Sequence, residues 1–372
     1  MTDQSLGAEE TESQIVVPAQ TFVPARSWRP VKRALLLFWG PTVAVSGVGV
    51  IVLQLIGAPK PDAVALKPAV VVAEQHASPA AHTAATPTHG APAHEEAAVP
   101  SQVRPDADPA LLEATPDFPD RPLPRIGPGQ RTPMQAYAAA FDVKDPRPRV
   151  AILVAGAAMS AQDTEDAIRA LPAAVSFAFS PYAANPSRQL AAARVAGHEA
   201  LLSIPMEPSN YPLNDAGNRA LLTGASPADN ALNLRWALSR MTAYAGATGA
   251  LGQLRGERYS TSASQMSELL AELARRGVFY IDARPGIAPA TPTSRSIDVL
   301  IDDPATRSEI DGRLARLETI ARQRGSAIGL VSAPSPVVTD RINAWVAALP
   351  QKGIALAPVS ATLLANMPKV VR

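Results

Sequence analysis

Between Arg149 and Val359, short apolar runs alternate with stretches in which apolar residues recur every three or four positions. The runs are VAILVAG (150–156), VSFAFSP (175–181), ALLSIP (200–205), VFYIDA (278–283), IDVLID (297–302), AIGLVSA (327–333) and IALAPVS (354–360), with TGALGQL (248–254) as a weaker one. Each is short and continuous, the mark of a strand buried on both faces. Between most of them lie amphipathic patterns such as TEDAIRAL, SRQLAAARVA, SASQMSELLAELARRG and RSEIDGRLARLETIARQRG, which read as helices. Gly197, Gly277, Gly325 and Gly353 stand just before the next run, where a helix ends in the left-handed conformation open to glycine. The pattern predicts a parallel sheet covered by helices. Seven or eight such units in about 225 residues favour a distorted (β/α)7-8 barrel over an open doubly wound sheet.

A different pattern precedes this one. Residues 34–59, ALLLFWGPTVAVSGVGVIVLQLIGAP, carry no charge, and at helical rise they are long enough to cross a hydrocarbon core of roughly 30 Å. Arg26, Arg29, Lys32 and Arg33 stand directly before the run, so the positive-inside bias places residues 1–33 in the cytoplasm as a tail. The 33-residue polar leader is long for a cleaved signal peptide, so an uncleaved transmembrane helix is expected. Residues 60–118 are rich in Ala, Pro, Thr and His and hold little that could pack, which predicts a disordered linker. A proline-rich lead-in, 119–148, then delivers the chain to a domain spanning 149–372.

Composition narrows the function classes. Lys and Arg number 34 against 33 Asp and Glu, a formal charge of +1, so no basic field marks the chain for nucleic acid. It has no cysteine, which removes disulfides, thiolate zinc sites and cysteine nucleophiles together. Of 5 histidines, His76, His82, His89 and His94 lie in the linker, and their spacings of 6, 7 and 5 match no structural metal site. His198 is left as the one histidine of the barrel region.

Candidate chemistry follows from strand polarity, because barrel sites assemble at the C-terminal ends of the strands. In GHEALLSIPMEP (197–208), a strand through about Ala200 to Ile204 puts His198 and Glu199 at its start and Met206 and Glu207 at its end. At about 3.3 Å per residue His198 and Glu207 are then roughly 20 to 30 Å apart, so they cannot share a site. Glu207, Asp282, Arg284, Asp302 and Asp303 are expected at the mouth with Ser180 and Ser332. Glu207, Asp282 and Asp302 are catalytic candidates, able to hold a hard cation through oxygen or to bind sugar hydroxyls. Asp282, Arg284, Glu207 and Ser332 are the ligand-binding candidates, and the competing reading for the acids is an ion-pair network with Arg284 and Arg258. No metal ligand set is assigned. His198 reads as a hydrogen-bonded structural residue and Met206 as core.

VAILVAGAAMS, LPAAVSFAFSPYAAN, AGHEALLSIPMEPSNYPLNDAGNRALLTG, RRGVFYIDARP, IDVLIDD and RGSAIGLVSAPSPVVTDRINAWV together resemble the divergent polysaccharide deacetylase family, in collinear order from about Leu123 to Val359. The resemblance implies a distorted β/α barrel in an envelope protein, related to metal-dependent enzymes that remove N-acetyl groups from polysaccharides with Asp and His ligands and a carboxylate base. It also implies an aspartate pair at the end of the first strand, where this chain has Ala155 and Gly156, and an Asn-x-Met-Gly-like segment, where it has GALGQLRGERYS with Gly252 or Gln253 at the Asn position. A hydrolytic zinc site needs three protein ligands and an open position, and the usual histidine-containing set is unattainable here. The expectation is therefore a degenerate, non-catalytic member linked to cell-envelope glycan. It would be held in a bacterial inner membrane by residues 34–59, its N-terminus cytoplasmic and its main domain periplasmic. An active deacetylase rebuilt on Glu207, Asp282 and Asp302 with a divalent metal is the alternative, and a structural envelope tether is another; outside the active alternative no cofactor is expected.

Overall fold

The computed structural model describes residues 107–364. The tail, the expected transmembrane helix and most of the linker lie outside these residues. Among the described residues no helix is long and apolar enough to cross a membrane.

The packed region begins before the proline-rich lead-in. Leu112–Glu113 (β1) pairs antiparallel with Leu123–Pro124 (β2), and Leu111 is buried in the main core. Buried Arg276 fastens this strap to the barrel, donating to Glu113 Oε1 (2.7 Å) and to the Pro124 carbonyl (2.8 Å). Residues 107–118 are thus part of the domain rather than the end of a linker, because one buried leucine and one fixed cation give them partners that composition does not reveal. A five-residue helix, Pro133–Tyr137 (α1), follows under a capping box made by Thr132 and Gln135.

Nine parallel strands form the main sheet. In chain order they are Arg149–Ala157 (β3), Ser176–Phe179 (β4), Ala200–Ser203 (β5), Gly246–Thr248 (β6), Phe279–Asp282 (β7), Ser294–Ser296 (β8), Val299–Leu300 (β9), Ser326–Val331 (β10) and Ala355–Leu356 (β11). Their spatial order is β8-β7-β6-β5-β4-β3-β10-β9, with β11 also on β3. β3 is the axis of the fold, buried at all nine positions. Along one edge it pairs with β10, and along the other with β11 at its start and β4 at its end.

The connecting helices are Ala161–Ala170 (α2), Pro186–Val195 (α3), Pro227–Leu238 (α4), Ala263–Arg275 (α5), Arg307–Arg324 (α6) and Pro336–Ala348 (α7). Ser160, Asn185, Ser226, Thr306 and Ser335 each accept a hydrogen bond from the N3 amide of the helix they open, filling one of the orphan donors of the first turn. Gly325 closes α6 in the left-handed conformation (φ +80°).

The sheet curls but does not close. β8 and β9 are its two edges, joined only by Ile297 and Asp298 and not paired with each other. The run 297–302 therefore does not make one strand; the chain turns at Asp298, whose carboxylate accepts from the Ile328 amide (2.8 Å). Arg295 spans the seam, donating to Ser326 Oγ (2.7 Å), the Ser326 carbonyl (3.0 Å) and the Thr362 carbonyl (3.1 Å). At the start of the strands, the closed end of the sheet, the last helix, Val359–Leu364 (α8), packs on β3 and β10. The run 354–360 thus splits into a two-residue strand and the start of this helix.

Candidate functional site

The strand β5 separates two polar clusters. At its start, His198 is buried, with Nδ1 2.9 Å from the Val175 carbonyl and Nε2 2.9 Å from the Ile168 carbonyl in the last turn of α2. Its ring meets Phe177 edge to face at 4.8 Å. Glu199 beside it is fully buried and accepts from the Ser360 amide (3.0 Å) at the start of α8, from Ser176 Oγ (3.1 Å) and from the Ala139 amide (3.4 Å). Burial raises its carboxyl pKa against these hydrogen bonds, which pull the other way. Both residues hold the closed end together.

Glu207, past the other end of β5, ties three loops. Its Oε2 accepts from the Thr223 amide (2.5 Å) and hydroxyl (2.6 Å), and its Oε1 pairs with Arg258 Nε (2.9 Å). Its backbone carbonyl accepts from the amides of Arg258 and Tyr259, both at 3.1 Å. Met206 is 1% exposed, and a side chain at Gly249 or Gly256 would meet it; it is core.

The other acids are similarly engaged. Asp302 accepts from the Ser332 amide with both oxygens (3.0 and 2.9 Å) and from Ser332 Oγ (3.1 Å), so these two expected mouth residues satisfy each other across β9 and β10. Asp282 holds Arg284 at two points, Nε at 3.0 Å and Nη2 at 2.7 Å, and also takes its amide at 2.9 Å. The Arg284 guanidinium is held still further in its charged form, chiefly by that hydrogen-bonded carboxylate. Asp303 is exposed, its carbonyl taken by Arg313. Ser180 accepts from the Tyr182 amide (3.3 Å).

These carboxylates do not converge. Among the described residues no three His, Asp or Glu side chains are grouped to hold a metal ion, so Glu207, Asp282 and Asp302 do not form the shared oxygen site on which a rebuilt enzyme would depend. The first-strand positions do not fit a metal either. Ala155 and Gly156 offer no ligand side chain, and Gly156 has φ +65°. A Cβ there would stand 2.9 Å from the Ser332 carbonyl oxygen and 3.3 Å from Gly252 Cα. The Leu251–Leu254 turn closes over the position that the resemblance assigns to an aspartate, and the Asn-like position, Gly252, supplies the backbone that closes it.

An open groove lies beside this closed center. It has a volume of about 570 Å³ and runs past Met159, Glu165, Ser180, Tyr182, Asn185 and Arg188. These residues follow the C-terminal ends of β3 and β4 or open α2 and α3. Tyr182 is 37% exposed, its ring centroid 5.2 Å from that of Trp236, and its hydroxyl accepts from the Arg219 amide (3.1 Å). Burial raises its phenol pKa. Arg219 and Arg240 flank Trp236 at 5.9 and 5.7 Å, which fixes the indole that backs Tyr182. Met159, at 63% exposed, is the largest apolar group on the rim. Reading the acids for chemistry passes over this groove; the signal that could have found it is position, since SPY and AMS directly follow two strands at the mouth.

Comparison with known proteins agrees with the fold. No curated protein matches the chain. An uncharacterized protein of Agrobacterium tumefaciens C58, ATU2773, is similar in its crystal structure, with 30% identity and a TM-score of 0.60 over 65% of this chain and 99% of that one. The family model described as divergent polysaccharide deacetylase matches residues 152–363, the stretch that holds the sheet from β3 to α8, and the chain belongs to that family.

Proposed function

We infer that this is a non-catalytic, deacetylase-like domain that binds envelope glycan at the barrel mouth, held at a membrane by residues 34–59 with the domain outside the cytoplasm. What supports this most directly is the end of β3: the aspartate position is glycine, in a left-handed conformation, with a carbonyl and a glycine backbone filling the space that a side chain needs. The family's chemistry loses its ligand, its base and the room for both, while the neighbouring groove keeps an aromatic face with polar groups around it, the composition that suits a sugar ring. Glu207, Asp302 and Ser332 then act as struts of the mouth, because the carboxylate oxygens already have donors or a cation and the Ser332 hydroxyl is spent as one of those donors.

Full-length protein should release no acetate from N-acetylated chitin or peptidoglycan oligosaccharides with or without added divalent metal, and should bind those oligosaccharides in a manner that Tyr182→Ala weakens. Metal-dependent acetate release together with stoichiometric metal in the purified protein would establish the active alternative instead. Export reporters fused after Arg372 test the topology: a reporter that works only outside the cytoplasm should be active, and a cytoplasm-only reporter silent.

A further inference from the structure

A cavity of about 230 Å³ lies between α4 and α5 and shares no residue with the mouth groove. Its inner wall is apolar: Leu221 from the loop after β5, Leu234 of α4 and Leu269 of α5 are all buried there. Tyr259, in the turn that leads into α5, lines the cavity with them. It is 3% exposed, yet its hydroxyl makes no hydrogen bond among the described residues. A buried phenol usually finds a partner, so Tyr259 brings an unmet donor and acceptor to the cavity.

The charges that line the cavity leave one unmatched. Arg235 donates through Nε to Asp117 (2.5 Å), and Glu272 holds Arg275 and, at 2.6 Å, Arg276. Glu268, about one turn before Glu272 on the same helix, is exposed and forms no ion pair among the described residues. Its charge adds to burial in pushing the Tyr259 phenol up to about 12, and no hydrogen bond joins the two groups. The phenol therefore stays neutral, and a donor placed between it and the carboxylate would serve both. An anion would be repelled by Glu268, and a neutral ligand would cover the carboxylate without giving it a counter-charge. A cation carrying N–H donors meets both needs.

We propose that this cavity binds a small primary amine in its ammonium form, which donates to the Glu268 carboxylate and the Tyr259 phenol oxygen while its alkyl part packs on Leu221, Leu234 and Leu269. The volume is below that of a drug-sized site, which limits the ligand to a short chain. A primary ammonium has three donors on one compact charge and can reach two acceptors at once. A quaternary ammonium offers the charge without a donor, and an alcohol the donor without the charge. The site does not depend on glycan binding at the mouth.

The test uses the full chain in a nonionic detergent and trifluorobutylamine, whose fluorine resonance broadens on binding, with butylamine as competitor. Broadening should be saturable and reversed by butylamine. Glu268→Gln should weaken apparent affinity by about tenfold, and Tyr259→Phe, which removes a hydroxyl without a partner in the protein, by about fivefold, the fold-change of one lost hydrogen bond. Both variants should keep the parent's melting temperature. Ala231→Phe, which fills the cavity from a half-buried position on α4, should abolish the broadening. Glu165→Gln, which removes a carboxylate from the mouth groove, is the control and should leave it unchanged. The proposal fails if broadening is unsaturable, if Glu268→Gln or Tyr259→Phe binds as the parent does, or if butanol or butyltrimethylammonium competes as well as butylamine.

Discussion

The two ends of the sheet use polar residues in opposite ways. At the start of the strands, His198 and Glu199 are buried and point inward to backbone groups of α2, α8 and the chain around Ala139. At the other end, Glu207, Asp302 and Asp282 each hold a neighbouring loop or strand, and the open groove beside them is lined by small residues together with Tyr182, Glu165, Asn185 and Arg188. The start of the strands is a device for stability, where the buried Glu199 oxygens are matched by donors at high desolvation cost. The mouth has spent its acids on shape. In this domain the mouth acids are taken up by neighbouring amides, hydroxyls and guanidinium groups, so their grouping along the sequence does not bring them into one cluster.

The largest effect should come from Glu199→Ala, which strands two buried donors, the Ser360 amide and the Ser176 hydroxyl, and empties the contact with α8; urea unfolding should show a loss of about 3 kcal/mol or more. The same residue sets a pH dependence. Because burial raises its folded-state pKa, the folded protein binds the proton more tightly than the unfolded chain. Its contribution therefore favours folding below the ordinary carboxyl pKa and declines as pH rises from there through the folded value. Glu199→Gln, which mimics the protonated form, should flatten that decline; an unchanged pH profile would place the dependence elsewhere.

Gly156→Asp restores the residue type that the family's chemistry calls for and should still fail. The substitution puts a Cβ at φ +65° against the Ser332 carbonyl, at a cost of about 2 kcal/mol, and acetate release should remain absent. A stable, hydrolytically active Gly156→Asp protein would show that the mouth can open. His198→Ala removes the ring's contacts with the Val175 and Ile168 carbonyls and the edge contact with Phe177, and calorimetry should register a loss of roughly 1–3 kcal/mol with oligosaccharide affinity unchanged. Tyr182→Ala should do the reverse. Stability should move by less than about 1 kcal/mol, while oligosaccharide affinity falls by about tenfold. Equal effects of His198→Ala and Tyr182→Ala on binding would erase the distinction between the two ends.

Much of the fold was legible because strand and helix periodicities are local. VAILVAG became β3, GVFYID became β7, and the helix stops at Gly197, Gly277 and Gly325 fell between a helix and the next strand, since burial on both faces and left-handed backbone leave direct marks on residue choice. The phase of GHEALLSIPMEP was legible for the same reason: four strand residues fix which polar groups stand at which end. The packing of 107–118 was hidden, because Leu111 and Glu113 draw their stability from Leu123, Pro124 and Arg276, far along the chain.

The sequence by itself determined the alternation of elements, the family, and the loss of the first-strand aspartates. Only the tertiary structure decided that the space at Gly156 is also gone, that the acids pair off instead of meeting, that Arg295 bridges an open seam between β8 and β10, and that Tyr182 and Arg188 share a groove. The physical reason is range. Periodicity and capping are set by neighbours a few positions away, whereas a clash between Gly156, Gly252 and Ser332, or a bond from Arg295 to Thr362, depends on how a curled sheet brings together segments that no local pattern relates.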